Sequence, residues 1–339
     1  ASVIARIAND EQLPAFGRDA IVALIEHGAR VAARADKLSA RFGRIADLAR
    51  EAAWLACVAG ATRVEGEHVR DAIARTKRRA SLPSRRFQEQ VDRGTIVLRT
   101  RGVEVGQVNG LAVMQAGPLT YGFPARITAT IGPGRAGLIN IEGQARMSGS
   151  IHTKGFHILG GLLRHLLRTD HPLAFSASLA FEQSYGGIDG DSASGAETCC
   201  LLSALTGVAL RQGMAMTGAI DQHGNVQAIG GVNEKIEGFF DTCVFQGLSG
   251  DQGVIIPWAN AGDLMLREDV VQACELGRFH IHAVDRIEQA LEVFAPDIPA
   301  GRWEGQDYQA GSLLWMARQR AQAFWRQTLQ PPVGLTQVV

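Results

Sequence analysis

The chain has 339 residues, 46% hydrophobic and 20% charged, which supplies enough apolar side chains for two domains with their own cores. Lys plus Arg balances Asp plus Glu at 34 each, which excludes a net field drawing the whole chain to nucleic acid or anionic lipid. Five cysteines (Cys57, Cys199, Cys200, Cys243 and Cys274), odd in number and without C-x-x-C spacing, exclude a disulfide framework and a cysteine zinc site. They point to a reducing, cytoplasmic compartment. No apolar run reaches membrane-spanning length, and the first residues do not read as a secretory signal.

Residues 1–82 read as a small all-α unit. Apolar residues recur at helical spacing over 18–34 (Ile21, Leu24, Ile25, Val31) and over 44–59 (Ile45, Leu48, Leu55, Val58). A third helix over 65–79 carries Val69 and Ile73, with an acidic start and a basic end that suit the helix dipole. Arg75, Lys77, Arg78, Arg79, Arg85 and Arg86 crowd one stretch, which reads as a solvated helix end and linker rather than a nucleic-acid patch. Ser81-Leu82-Pro83-Ser84 breaks the helical run, because Pro83 disfavours helix at Leu82, and 83–94 is taken as the linker.

The texture then changes to a mixed α/β domain over 95–298. Short, β-branched, Gly-bounded segments predict strands at 96–98, 103–108, 111–114, 126–131, 138–141, 174–181, 215–220, 253–256 and 280–284. Helical patterns fall at 155–168, 193–212, 233–246, 261–266 and 286–294. A tail over 299–339 carries one helix at 311–329 (Leu313, Leu314, Phe324, Trp325) before Pro331-Pro332, expected to dock on the domain or on a neighbouring subunit.

Two small-residue turns carry chemistry. Asp189-Gly190-Asp191-Ser192-Ala193-Ser194-Gly195 presents a serine just before an apolar helix, and Gly230-Gly231-Val232-Asn233-Glu234-Lys235-Ile236 presents a lone lysine entering another. A helix start leaves backbone N–H groups unpaired, so a serine there is ordinarily an N-cap. Gly186, Gly187, Gly190 and Gly195 let a second backbone approach, so that a carbonyl beside Ser192 would meet oxyanion donors in amides from Gly190 to Ala193. A lysine at a helix start is ordinarily solvated; burial and the dipole would instead lower its pKa toward that of a base. Spacing alone does not bring the two side chains together.

Arg101-Gly102, Val105 to Val113, Ala145 to Gly155, Asp189 to Ser194, Ala215-Met216-Thr217-Gly218-Ala219-Ile220, Ile229 to Ile236, Val254 to Pro257 and Ile281 to Val284 together resemble, in order, the proteolytic domain of Lon proteases. The resemblance implies a Ser-Lys peptidase with Ser192 as nucleophile, Lys235 as general base and backbone amides near Gly190 and Ala193 as the oxyanion site. Gly190-Asp191-Ser192-Ala193-Ser194 departs from the G-P-S-A-G of A-type enzymes and is similar to the B type and its bacterial relatives. In that branch Asp191 is expected to approach Lys235 and hold it as ammonium at rest, opposing its role as base. Thr217 is a candidate to orient the lysine, although it also reads as an ordinary strand threonine. Gln183 and Tyr185 are candidates for substrate contact.

Residues 37–52 resemble the helical lid of an AAA+ ATPase of the form found upstream of Lon protease domains, which makes Arg41 a candidate nucleotide sensor, equally readable as a surface arginine. No G-x-x-x-x-G-K-[ST] occurs, so ATP and Mg²⁺ are expected only if an ATPase core precedes the chain in a longer protein, the reading preferred here; none is needed for peptide hydrolysis. No metal site is expected: His280 and His282 share one face of a strand without a third ligand, and no histidine falls near Ser192 in the sequence. The expected protein is a cytoplasmic homohexamer that cleaves unfolded chains, with no nucleic-acid or membrane partner. Its rivals are an ATP-independent peptidase of the same fold and a non-catalytic binding or assembly protein.

Overall fold

A computed structural model describes residues 1–34, 36–117 and 119–329. The chain divides into two units, the first comprising Ala1–Glu89 with the short segments Met114–Tyr121 and Gly262–Arg267, and the second the remainder.

The first unit is built on helices Ser2–Asp10, Arg18–Ala32, Phe42–Val58 and Gly66–Ala80. Its core is alanine-rich (Ala20, Ala23, Ala49, Ala52, Ala53, Ala56, Ala72), which lets the helix backbones approach closely around Leu24, Leu48, Leu55 and Val69. Two-residue strands Ala15–Phe16 and Arg63–Val64 pair in parallel between the helices. The helix Ser2–Asp10 escaped the sequence pattern because it buries only Ile4. The helical run breaks at Ser81, as expected, but the linker expected after it is helical over Leu82–Asp92. Pro83 stands in its first turn, where the missing N–H has no intrahelical partner to lose and the fixed φ already suits a helix.

The second unit holds a seven-stranded mixed sheet in the order His280–Val284, Gly253–Pro257, Met214–Met216, Gln107–Ala116, Leu119–Pro133, Phe175–Phe181, Gly137–Asn140. The first four are parallel to one another, Phe175–Phe181 pairs antiparallel with Leu119–Pro133, and Gly137–Asn140 closes the edge in parallel. Helices Ser150–Leu167, Ser194–Thr206 and Ile287–Phe294 cover the sheet and share one apolar core with it. The tail helix Leu313–Leu329 belongs to that core, since Leu313, Leu314, Ala317, Ala321 and Phe324 are buried in it and Tyr308 Oη donates to the Leu166 carbonyl at 2.8 Å. It therefore docks on its own domain. Pro331-Pro332 lies outside the described residues.

Several element boundaries depart from periodicity for local reasons. The helix expected to reach 212 ends at Thr206, because Gly207 takes a left-handed φ of 77° and caps it; Leu210–Arg211 then turns to pair with Val103–Glu104. The strand expected over 103–108 is split at Gly106, whose φ of 65° disfavours a side chain and where a Cβ would stand 2.6 Å from the Ala129 carbonyl oxygen. Residues 96–98 are not a strand, the helix expected over 261–266 is only the end of a 3₁₀ helix (Trp258–Asp263) with 264–266 irregular, and Glu268–Glu275 is a further helix. Most consequential, 215–220 is not one strand. Met214–Met216 stays in the sheet, while Ala219–Ile220 leaves it to pair with Val226–Gln227.

One contact sets where the helix Val232–Phe245 can lie. Gly122 on the long strand and Gly238 on that helix touch backbone to backbone, so that a Cβ on Gly122 would overlap the Glu234 carbonyl and one on Gly238 the Gly122 carbonyl. Gly122→Ala is therefore expected to lower unfolding free energy by about 1–3 kcal/mol through overpacking. Chemical denaturation, with a mild Gly160→Ala control whose Cβ meets its nearest neighbour at an ordinary 3.6 Å, checks this.

Candidate active site

The serine turn is fastened before it reaches Ser192. The Asp189 carboxylate accepts from the amides of Gly190 (2.8 Å), Ile151 (3.0 Å) and His152 (3.2 Å), so it caps the helix Ser150–Leu167 as well as its own turn. These bonds, led by that from Gly190, hold its carboxyl below the usual carboxylate range. Ile188 bridges to Ser148, and its amide donates to the Met147 carbonyl at 2.9 Å. Gly190 takes a φ of 93°, which only glycine adopts readily. Ser194 Oγ donates to the Asp191 carbonyl (2.8 Å) and accepts from the Ile220 amide (3.0 Å), closing the turn onto the start of its helix.

The broken strand completes the seat. The Gly218 amide donates to the Ser192 carbonyl at 2.7 Å, Thr217 Oγ1 donates to the same carbonyl at 3.2 Å, and the Gly195 amide donates to the Gly218 carbonyl at 3.0 Å. The serine turn thus takes the hydrogen bonds that a further strand would have taken, which is why 215–220 leaves the sheet after Met216.

Lys235 arrives in the first turn of the helix Val232–Phe245, which begins at Gly231 with a φ of 69°. Asn260 holds the loop ahead of it, its Oδ1 accepting from the Ile229 amide (2.9 Å) and its Nδ2 donating to the Ile229 carbonyl (3.1 Å). Lys235 is 2% exposed, and its Nζ lies 2.8 Å from Ser192 Oγ and 3.0 Å from Thr217 Oγ1. Burial pulls its pKa from 10.5 down to about 8, against the opposing pull of the Asp191 and Glu234 charges. Asp191 thus acts on the lysine through its charge, while the hydrogen bonds of Nζ go to Ser192 and Thr217.

The remaining sequence candidates fall in different places. The Gly190 N–H is committed to Asp189, whereas among the described residues the amides of Ser192 and Ala193 have no internal acceptor. Gln183, at a φ of 57°, turns its amide to residues 95–97: Oε1 accepts from Val97 N at 2.8 Å and Nε2 donates to the Thr95 carbonyl at 2.6 Å. Tyr185 projects with 85% exposure. Arg41, in the first unit, is exposed at the N-cap of Phe42–Val58. His280 donates from Nε2 to the Gly250 carbonyl at 2.8 Å, and no group of three or more His, Cys, Asp or Glu among the described residues is arranged to hold a metal. No helix among them is long and apolar enough to cross a membrane. Asn260 and Gly122 were invisible in the sequence, because their partners are distant in the chain and neither belongs to a motif.

These two units define a class of protein, a helical LID domain followed by a Lon-type proteolytic domain. The family model for the archaeal LonB AAA+ ATPase LID domain matches residues 15–79, and that for the Lon protease (S16) C-terminal proteolytic domain matches 183–295. A Lon protease homolog of Escherichia coli is 38% identical over 301 residues, covering 88% of this chain and 50% of that protein. One from Haemophilus influenzae is 46% identical over 200 residues (58% of this chain, 33% of that protein), and an archaeal Lon protease of Thermococcus kodakarensis is 29% identical over 300 (88% and 44%). The chain belongs to the Lon protease family, and it spans half or less of the length of these relatives.

A buried amine also leaves a mark on stability. Between pH about 8 and 10.5 the unfolded lysine binds a proton that the folded one has lost, so unfolding free energy rises with pH across that window. Lys235→Met removes this slope. The variant is expected to be more stable than the parent at pH 7, on the order of 3 kcal/mol, with the gap closing toward pH 10.5. Urea unfolding at pH 7, 9 and 10.5 measures it; parallel profiles would show that Lys235 is solvated.

Proposed function

We propose that this chain is the peptidase part of a Lon-like protease, a serine endopeptidase working through a Ser192–Lys235 dyad. The observation that carries the reading is the 2.8 Å contact between Ser192 Oγ and an amine that is 2% exposed. With its pKa near 8, Lys235 is part neutral at neutral pH and takes the serine proton as Oγ attacks a peptide carbonyl. The amides of Ser192 and Ala193 receive the oxyanion. Lys235 returns the proton to the leaving amine, and water then releases the acyl-enzyme by the same route. Thr217 holds Nζ on the serine side during both transfers.

Membership of the Lon family supports protein substrates, and we extend this to unfolded or damaged chains entering a homohexameric ring in the cytoplasm. Peptide hydrolysis at this site uses no cofactor. ATP and Mg²⁺ enter only through an ATPase core in a longer protein, where the LID domain would offer Arg41 to a nucleotide phosphate.

The test incubates the chain, without nucleotide, with casein and a short unstructured peptide, beside Ser192→Ala and Lys235→Ala. Cleavage by the parent that each substitution lowers by about a thousandfold or more supports the dyad. Cleavage surviving both substitutions sinks it. The rate of the parent is expected to rise with pH to a plateau above about 8, as Lys235 loses its proton. Because the Asp191 charge raises the lysine pKa, Asp191→Asn moves that acid limb to lower pH and raises the rate at pH 6.5; an unmoved limb would remove Asp191 from the proton balance.

A further inference from the structure

Beside the serine turn lies a buried ionisable pair that the proposed chemistry does not use. His152 and Glu197 are each 2% exposed, with His152 Nε2 3.1 Å from Glu197 Oε1 and Nδ1 2.8 Å from Ser148 Oγ. Ser148 Oγ is itself 2.9 Å from Thr153 Oγ1, and the imidazole stands edge-on to Phe181 with ring centroids 5.5 Å apart. Taking both members of an ion pair out of water costs free energy that apolar residues of similar volume would not require, so core stability does not explain the pair.

Its position does. His152 lies in the first turn of Ser150–Leu167, and its backbone amide donates to Asp189, on the N-terminal flank of Ser192. Its side chain holds Glu197, in the first turn of Ser194–Thr206 on the C-terminal flank. One residue therefore grips both sides of the nucleophile turn, and the grip is directional because each arm is a hydrogen bond. Three carboxylates act on the ring: Glu197, Glu142 (which accepts from the Phe181 amide at 2.7 Å) and Asp189. Burial works against charge on His152, yet these carboxylates raise its pKa above the ordinary value and keep the arm to Glu197 charge-assisted.

We propose that His152 is a positioning residue which, through Glu197 and Asp189, clamps the turn 189–194 and so sets Ser192 Oγ against Lys235. The inference rests on the Ser192–Lys235 reading, and its test has a readout that does not. His152→Phe removes the side-chain arm; His152→Phe/Glu197→Leu also removes the carboxylate that the single change would strand. Hydrogen exchange of peptides covering 186–198, thermal midpoint, and kcat and KM on the unstructured peptide are measured for both.

The expected result for His152→Phe is roughly tenfold faster exchange confined to the serine turn. With it goes a kcat lower by about tenfold or more at nearly unchanged KM. The double variant is expected to regain thermal midpoint while exchange stays fast and kcat low. Recovery of turn protection and kcat together with the midpoint would make the pair a packing element and overturn the proposal, as would unaltered exchange or exchange raised evenly across the domain. Should His152→Phe not fold, His152→Gln takes its place, with a smaller change in the same direction expected and no local change overturning the proposal. Peptidase activity that survives Ser192→Ala would instead overturn the dyad and leave the exchange result to stand alone.

Discussion

Keeping one lysine dry is the constraint on which this site depends. An ammonium in water is a poor base at neutral pH, and only its removal from solvent brings the pKa of Lys235 to about 8. Burial at 2% exposure requires walls on every side, and the fold supplies them from separate parts of the chain. The long strand Leu119–Pro133 passes backbone to backbone against the lysine helix at Gly122, which no side chain there would permit. Thr217 and Ser192 fill the remaining side with two hydroxyls, so the amine is desolvated without being left unpartnered. Removing water alone would have left an orphan polar group; removing it while offering neutral acceptors lowers the pKa and still pairs the amine, as the proposed role of base requires.

The same economy appears in the backbone around Ser192. A strand that ran straight through 215–220 would have used its amides in the sheet. By leaving after Met216, the chain frees Gly218 to bond both the Ser192 carbonyl and the Gly195 amide, and Thr217 to face the lysine. The break in the sheet is thus part of the site. Asp189 does the corresponding work on the other flank, where its carboxylate serves a helix start and its own turn together. Between these anchors the Ser192 and Ala193 amides stay without an internal acceptor among the described residues.

Much of this was legible in the sequence, and the physical reason is locality. Ser192 and Lys235 sit in glycine-flanked turns at helix starts, so residue type, local backbone demand and family motif agreed, and the mixed α/β domain with its all-α predecessor followed from periodicity. The errors fell where a local rule met a second local rule or a distant partner. Pro83 disfavours helix in the residue before it but is welcome in a first turn, and the structure follows the second rule. The strand over 215–220 looked continuous because Thr217 and Gly218 are compatible with one; only the serine turn, far off in sequence, takes it out of the sheet. Gln183 is a separate case: it stays a candidate for substrate contact by its place in the motif, and its side-chain amide also pairs with the backbone of residues 95–97, a partner no spacing could announce.

Contacts of this last kind share a property that sets the limit of sequence reading. Asn260 closing on Ile229, Gly122 admitting the lysine helix, and His152 reaching Glu197 each join residues that ordinary rules classify as unremarkable: a loop amide, a strand glycine, a helix histidine. Each becomes informative only when burial is known, because a polar group in water carries no obligation and the same group in the core must be paired. For His152 the obligation is met by a carboxylate that is itself buried, and the pairing depends on how the two helices that carry them are set against each other. A pair that fits in one geometry is a poor source of stability and a good source of register. Register is what the proposed dyad would need from its surroundings, since Ser192 Oγ and the Lys235 amine must stay 2.8 Å apart for the proton to pass.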